Sequence, residues 1–487
     1  MLQPTHNLMQ HVKQRIKQHI EHPIKQSTQQ NKGLQQYTRA KFATKTIAIG
    51  ALLCTSLLAA TGPAWSMDLL QAYDAARQQD ATVLAARATA AAGRERLPQA
   101  RSQLFPSISA NAQQTNNQLQ STTPNFQGVE QTLNSNYPSS SQTLTVRQPL
   151  YRPFNLAQLR QARAQVEDVE AGLLQEEQTL AVRVTSAYFD AMLALDQLAL
   201  VVAQRTTLTT QLDGTRKTFA AGTGTRTDVD ETQARLDQVM ATEIEANQNV
   251  NFTRRQLEVL VNQPVGVLAK LNVGKLELQE PQPNVLQAWT DKAEQTSPQL
   301  TSLRAQLEAA REEVSKASAG HQPTLDAVAQ WQRSQSESVT NNTNRYTNTS
   351  IGLQLSIPIF QGGYVNSQVR QALAAQERAS QLLEAGRRDL SVRIFREFRG
   401  VLENVPKIKA LERALASAEQ LVLSNRKSFQ AGSRTVVDIL NAEQARTLVM
   451  RDLAQARYIY LVSKLRLQAL VGEADQQAVT SLNNVLQ

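Results

Sequence analysis

Cysteine and histidine are scarce in this sequence, which has one cysteine and five histidines among 487 residues. Beyond residue 66 it has no cysteine, and its single histidine there is His321. Zinc clusters, thiol catalysis and Ser/His/Asp triads need several such side chains close together. We therefore predict no catalytic residue, no metal site and no cofactor.

The net charge is small outside the first 66 residues. The formal net charge is +9, and residues 1–66 hold eight Lys or Arg residues against Glu21, a net charge of +7. The rest of the chain is therefore nearly neutral at +2. A basic surface for nucleic acid is not expected on such a chain.

The basic N-terminal segment is followed by an apolar stretch at 47–60, too short to span a bilayer as a helix. Small residues flank a tryptophan at 64–66. This pattern predicts a secretory signal peptide within residues 1–66, cleaved after Ser66. Residues 1–40 are longer than a usual leader start, which leaves open a misassigned start codon or an unusual extension.

Proline is absent from residues 155–262, and the glycines there are few. Apolar residues recur at spacings of three, four and seven, which is typical of helices packed side by side. We predict long helices with a turn at Gly222 and Gly224. A helix over 155–221 would be about 100 Å long at roughly 1.5 Å per residue, far longer than a compact domain needs.

The same organisation repeats at an offset of 210 residues. Phe219 to Gly222, followed by Asp228, corresponds to Phe429 to Gly432, followed by Asp438. Upstream, a strand-like stretch that contains Pro149 corresponds to one that contains Pro358, each before a long helix. Two copies of one unit therefore make up residues 67–487.

Each copy also contains two stretches that are not helical, at about 105–119 with 142–151 and at 324–332 with 349–360. In the last, four apolar residues alternate with Gly352, Gln354 and Ser356, the pattern of a membrane barrel strand. Polar stretches at 121–141 and 334–347 are expected to be external loops. Four strands per chain follow.

Four strands cannot close a barrel, and open sheet edges in lipid leave unpaired backbone groups that cost several kcal/mol each. The barrel must therefore be shared between chains. Two chains would give eight strands and an interior filled by side chains, whereas three would give twelve strands and room for a pore. This argument rejects a monomer and disfavours a dimer.

Several stretches resemble the TolC family of outer-membrane channels: Gly320 to Asp326, Ile357 to Val369 and Gly432 to Leu440. The resemblance covers about residues 67–487 and keeps the order of the motifs around the repeat. It implies a mainly α fold with transmembrane β-strands, in which a homotrimer forms a long α-helical barrel and a shared 12-stranded β-barrel in outer-membrane lipid.

The resemblance also implies a division of the chain. Residues 67–270 would be the first repeat and 290–471 the second, while an equatorial layer would come from the inter-repeat segment 271–289 and the C-terminal tail 472–487. The channel would extend into the periplasm, where a periplasmic adaptor protein and an inner-membrane transporter would bind its far end. The cargo, secreted protein or small molecules, would be chosen by the transporter.

In the family, the helix turns form the periplasmic entrance, which is closed by polar contacts between helices and lined by aspartate rings. The match places Asp438 in such a ring, with an exposed residue that stabilises the helix start as the alternative. Asn441 stands where a second ring aspartate is common, and Glu231, its counterpart in the first repeat, is a candidate to restore the charge. The matching gating contacts are Arg434, Thr227, Asp228 and Phe429.

Two further features are predicted from residue type. Pro406 lies inside the second long helix and is expected to kink or break it. Trp331, Tyr151 and Phe360 are candidates for aromatic girdles at the membrane surfaces, with core packing as the alternative.

Two other classes of function agree less well with the sequence. A structural periplasmic coiled coil would account for the helices but not for the strands. A secreted hydrolase would need converging nucleophiles or carboxylates in a pocket, which the sequence does not offer. An outer-membrane export channel is therefore the function predicted from the sequence.

Overall fold

The computed structural model describes residues 67–337 and 343–486. The predicted signal peptide and its cleavage site at Ser66 lie outside the described residues. So does the central part of the second predicted external loop, at 338–342. All structural statements below refer to the described residues.

The first half of the described chain begins with three short helices and a β-hairpin and ends with two long helices. These elements are α1 (Leu69–Gln79), α2 (Ala81–Arg94), α3 (Arg96–Ser102), β1 (Ser107–Pro124), β2 (Glu130–Tyr151), α4 (Pro153–Ala220) and α5 (Arg226–Val261).

The second half repeats this order. Its elements are α6 (Leu286–Thr296), α7 (Pro298–Ser318), β3 (Thr324–Glu337), β4 (Thr343–Ser356), α8 (Tyr364–Gln430) and α9 (Val436–Leu470), followed by the terminal α10 (Gln476–Asn483). Short 3₁₀ turns lie at Val273–Lys275 and Ala319–His321. The predicted pair of repeats, each with two strands and long helices, is confirmed.

The long helices come in two hairpins, α4 with α5 and α8 with α9. Helices α4 and α8 have 68 and 67 residues, so each is about 100 Å long. Helix α4 starts with Pro153 in its first turn, where a missing N–H costs nothing. Helix α8 continues through Pro406, so of the two expectations, a kink or a break, the break is wrong and the kink stays a prediction. Val405 and Ile408 are buried in the main core, and this packing holds the helix across the lost hydrogen bond.

The four strands form one antiparallel sheet in the order β1-β2-β3-β4. Paired residues of antiparallel strands share a face, and one row across the sheet is Ile108–Val146–Ala329–Ile351. The neighbouring row on the opposite face is Ser107–Arg147–Val328–Gly352. One face is therefore mostly apolar and the other mostly polar, as the alternation in β4 predicted.

The strands are longer than predicted. Most of the polar stretch 121–141 is part of the hairpin, and the chain turns only between Pro124 and Glu130. The polar stretch 334–347 is also paired on both sides of residues 338–342. The expectation of loops is wrong here because an antiparallel ladder satisfies backbone groups whatever the side chains are. Polar side chains indicate that a stretch can face water, but they do not show whether it is a strand or a loop.

Trp331 and Tyr151 lie near opposite ends of the apolar face. Trp331 pairs with Leu144, and the next residue on the same face is Arg333. Tyr151 reaches this face through a register shift after Pro149, which pairs it with Leu325. Phe360 follows β4 and is 87% exposed in the single chain.

The apolar core is divided along the helices. The largest cluster joins α1, α2, α4, α5, α8, α9 and α10, and a second joins α6, α7, α8 and α9. The segment after α5 meets the C-terminal tail here, because Leu271 pairs with Leu486 and the Asn272 N–H donates to the Val485 carbonyl at 2.8 Å. A third, smaller cluster lies near the turns of the long hairpins.

A buried ion pair ties the sheet to the first long helix. Asp326, in β3, is 4% exposed and accepts from Arg152, the residue before α4, through Nε at 2.8 Å and Nη2 at 2.5 Å. Arg147 in β2 lies 3.8 Å from the same carboxylate. Asp326 ends the stretch from Gly320 that resembles the TolC family, but no role was predicted for it from the sequence.

We expect Asp326→Ala to destabilise the protein by about 2 kcal/mol, because it removes the charged hydrogen bonds with Arg152, whose own side chain is 31% exposed and can be solvated. Urea unfolding of the full-length protein in detergent, followed by circular dichroism, measures this change. The control is Asp213→Ala, which removes an exposed pair with Lys217 and should cost at most about 1 kcal/mol. Equal effects of the two substitutions would contradict the role of Asp326.

Candidate functional site at the helix turns

The turns that close the two long hairpins have the same construction. Gly222 and Gly432 have φ angles of +73° and +74°, which glycine adopts without steric cost. The Gly222 N–H donates to the Phe219 carbonyl and the Thr223 N–H to the Thr218 carbonyl, both at 3.0 Å. The second turn has equivalent bonds from Gly432 and Ser433. This paired pattern is the Schellman motif, which ends a helix sharply.

The two turns differ at the position after the Schellman motif. The Gly224 N–H also bonds to the Thr218 carbonyl at 3.1 Å, and a Cβ on Gly224 would lie 2.8 Å from Thr218 Oγ1 and 3.0 Å from Phe219 N. A larger residue would not fit there. The equivalent residue in the second turn is Arg434, so the arginine is a feature of the second repeat alone.

Each turn passes into a helix that starts with a capping box. At the start of α9, Thr435 Oγ1 accepts from the Asp438 N–H, while Asp438 Oδ2 accepts from the Thr435 N–H at 2.9 Å. At the start of α5, Thr225 and Asp228 make the same reciprocal pair. Two free N–H groups at each helix start are thereby satisfied.

Asp438 is held by more than the cap. The Thr435 hydroxyl donates to Asp438 Oδ2 at 2.9 Å, and Arg434 Nη1 lies 3.4 Å from Oδ1. The hydrogen bond from the Thr435 N–H, followed by that from its hydroxyl and by the charge of Arg434, lowers the pKa of Asp438 below its usual value. This geometry supports the helix-start role of Asp438 and keeps the carboxylate ionised for a ring.

The other predicted gating residues do not all meet within one chain. Arg434 pairs with Asp438 of its own helix rather than with Asp228. Thr227 is exposed, and Phe429 is 38% exposed in the last turn of α8. Contacts of Arg434 or Phe429 with Thr227 and Asp228 would therefore have to form between chains or in another arrangement of the turns.

Glu231 and Asn441 come together through a residue that sequence reasoning missed. Arg235 donates from Nε to Glu231 Oε1 and from Nη2 to Asn441 Oδ1, both at 2.8 Å. Its Nη1 lies 3.4 Å from Gln444 Oε1. The one available sequence signal was the four-residue spacing of Glu231 and Arg235, which gives no hint of the contact with α9.

Apolar side chains join the two hairpins just behind these polar groups. Val229, Leu236 and Val239 of α5 lie in one cluster with Val436 and Leu440 of α9. No group of three or more His, Cys, Asp or Glu residues suited to a metal occurs among residues 67–337 and 343–486.

The sequence and the fold were compared with known proteins. The family model described as outer membrane efflux protein matches residues 72–263 and 289–473, one segment for each repeat. The alkaline protease secretion protein AprF of Pseudomonas aeruginosa is 33% identical over 416 residues, 85% of this chain and 86% of that protein. Outer membrane protein TolC of Escherichia coli is 30% identical over 429 residues, 86% of this chain and 85% of that protein.

Solved structures show the same fold at lower identity. VceC, an outer membrane protein of Vibrio cholerae, has a TM-score of 0.71 at 18% identity, covering 83% of this chain and 96% of that one. CusC, described as forming a transmembrane channel, has a TM-score of 0.71 at 14% identity, covering 84% and 92%. The fold predicted from the sequence is confirmed.

The lowered pKa of Asp438 predicts an acid response of the α9 start. The ionised carboxylate stabilises the cap at any pH above the ordinary aspartate value of about 3.9, and this stability is lost as the pH falls through the lowered pKa. Hydrogen exchange of residues 435–440, corrected for intrinsic rates, should show protection that falls in this acid range.

The Asp438→Asn variant should lack this acid-dependent loss. Asp237→Asn is the control, because Asp237 lies on α5 and accepts from Gln233 outside either cap. If Asp438→Asn and the parent protein lose protection over the same pH range, the cap is not the cause.

Proposed function

Because this chain belongs to the outer membrane efflux protein family, we propose that its two helix turns form the gate of the channel. The family assignment confirms the predicted function, an outer-membrane export channel that extends into the periplasm. Two relatives are named for protease secretion, and the family model is described as outer membrane efflux protein. These names leave both predicted cargo classes open for this chain. The family is one of channels, which speaks against a structural coiled coil.

Channels of this family are trimeric and work with adaptors and inner-membrane transporters. For this chain we propose a homotrimer with a 12-stranded barrel. The support is the sheet itself, in which β1 and β4 each have one unpaired edge within the described residues. Ile351, Leu353 and Leu355 on β4 are 84%, 70% and 61% exposed in the single chain, as expected of a surface that faces lipid.

The gate proposal rests on the arrangement of charge at the turns. Three copies of Asp438 around one axis would place three carboxylates at the entrance, where they would attract cations. Asn441 adds no charge to such a ring, and Glu231 pairs with Arg235. A single aspartate ring is therefore proposed for this channel, with the adaptor and the transporter binding at the same end.

Arg434 provides the test of the gate. Its side chain is 55% exposed and pairs with Asp438 at 3.4 Å, so it is available to contact a neighbouring chain. We expect Arg434→Ser to increase the conductance of the full-length protein in planar lipid bilayers, because it removes a contact that holds the entrance closed.

The control is Arg226→Ser in the other turn. Arg226 is 72% exposed and also pairs with the aspartate four residues on, Asp230, at 3.0 Å. It has the same local chemistry but no match to a gating contact, so its substitution should leave conductance unchanged. Parent-like conductance of Arg434→Ser would argue against a gate at this turn.

A further inference from the structure

Arg235 joins the two long hairpins of one chain close to their turns. It lies on α5, ten residues beyond Thr225, which places it about 15 Å from the turn. Nη2 donates to Asn441 Oδ1 on α9 at 2.8 Å, Nη1 lies 3.4 Å from Gln444 Oε1 on α9, and Nε donates to Glu231 Oε1 on its own helix at 2.8 Å. All three guanidinium nitrogens have a partner.

Other polar contacts between the hairpins lie far from the turns. Among the described residues of α4, α5, α8 and α9, these are Tyr458 with Asp196 at 2.6 Å and Arg466 with Ser186 at 3.4 Å. Both are next to the main core. Near the turns, the polar contacts between the two hairpins are those of Arg235.

The two residues that Arg235 binds on α5 and α9 are related by the repeat. Glu231 and Asn441 are equivalent positions at the offset of 210 residues, and the guanidinium of Arg235 binds both. The residue equivalent to Arg235 in the second repeat is Ala445, which is exposed and offers no donor. The contact is therefore an asymmetric feature of this chain, built between two symmetric positions.

The apolar cluster beside Arg235, the third one described above, is small. It contains seven buried residues, from α4, α5 and α9, whereas the main core has a much larger set and involves seven helices. Segments with few buried apolar contacts open at lower free energy than the rest of a structure. The turn end is thus where the hairpins can separate, and Arg235 acts where the apolar packing is weakest.

We propose that Arg235 is a latch that positions α5 against α9 and so sets how readily the entrance opens. This inference rests on the proposed gate. The latch requires the planar fork of arginine, since a lysine ammonium is a single point and cannot keep the bonds to Glu231 and to α9 in the same geometry. Asn441 is the acceptor of this latch, which gives the uncharged residue a function at a ring position.

The charge of the residue at position 441 sets the strength of the latch. An aspartate there would turn the neutral acceptor into a carboxylate, and hydrogen bonds between charged partners are roughly twice as strong as neutral ones. Asn441→Asp should therefore hold α5 and α9 more closely, whereas Arg235→Lys should release them. The two substitutions should therefore change the distance between α5 and α9 in opposite directions.

The experiment measures the distance between α5 and α9 of one chain in the full-length oligomer. Spin labels are placed at two exposed alanines, through Ala234→Cys on α5 and Ala445→Cys on α9, because the chain beyond the predicted cleavage site at Ser66 has no other cysteine. Labelled chains are diluted with unlabelled ones, so that the distance within one chain is read. The population with separated helices should increase about tenfold in Arg235→Lys and decrease in Asn441→Asp.

The matched control is Arg216→Lys. Arg216 donates to Gln233 at 2.9 Å within the first hairpin and does not contact α9, so the parent distance distribution is expected. Thermal unfolding followed by circular dichroism should be the same for all variants, which separates a latch from a general loss of stability. Parent-like distances in Arg235→Lys, or separation in Arg216→Lys as well, would overturn the latch.

Conductance recorded on the same proteins separates the latch from the gate. Helices that separate in Arg235→Lys together with a higher conductance support both. Separation without a change in conductance keeps Arg235 as the residue that holds α5 against α9, but it contradicts an effect on opening and the gate proposed above. Unchanged distances contradict the latch, whatever the conductance.

Discussion

The pairing of backbone groups at the sheet edges constrains this protein more than any other interaction. The four strands satisfy one another in the order β1-β2-β3-β4, but the outer edges of β1 and β4 have no partner within the described chain. Water can bind such groups, but hydrocarbon cannot, and each unsatisfied group there costs several kcal/mol. A chain whose sheet lies in the outer membrane is therefore complete only when copies of itself supply the missing strands.

The helices follow from the same constraint. Strands β2 and β4 lead into α4 and α8, so any ring of strands also places the long helices side by side. The ion pair of Arg152 with Asp326 fixes one of these connections. Away from the membrane, the apolar core is largest where seven helices and the terminal segments meet and smallest at the turns. The structure is therefore most rigid in its middle and most easily changed at the end that bears Asp438.

Features with a local cause could be predicted from the sequence. The repeat, the turns at Gly222 and Gly432 and the alternation of Ile351, Leu353 and Leu355 all depend on residues close in the chain. Strand lengths could not be predicted, because polar residues pair as well as apolar ones once a ladder exists. The continuity of α8 at Pro406 depends on packing against other helices. The contacts of Arg235 and Asp326 join residues far apart in sequence, and no local pattern specifies them.

The most direct test of this account is the symmetry of the detergent-extracted full-length protein, imaged by single-particle electron microscopy. The account predicts three chains around one axis, in which β1 of each chain pairs with β4 of the next to give a 12-stranded barrel above a helical tube about 100 Å long. Monomers, or an assembly in which these two edges stay unpaired, would contradict it.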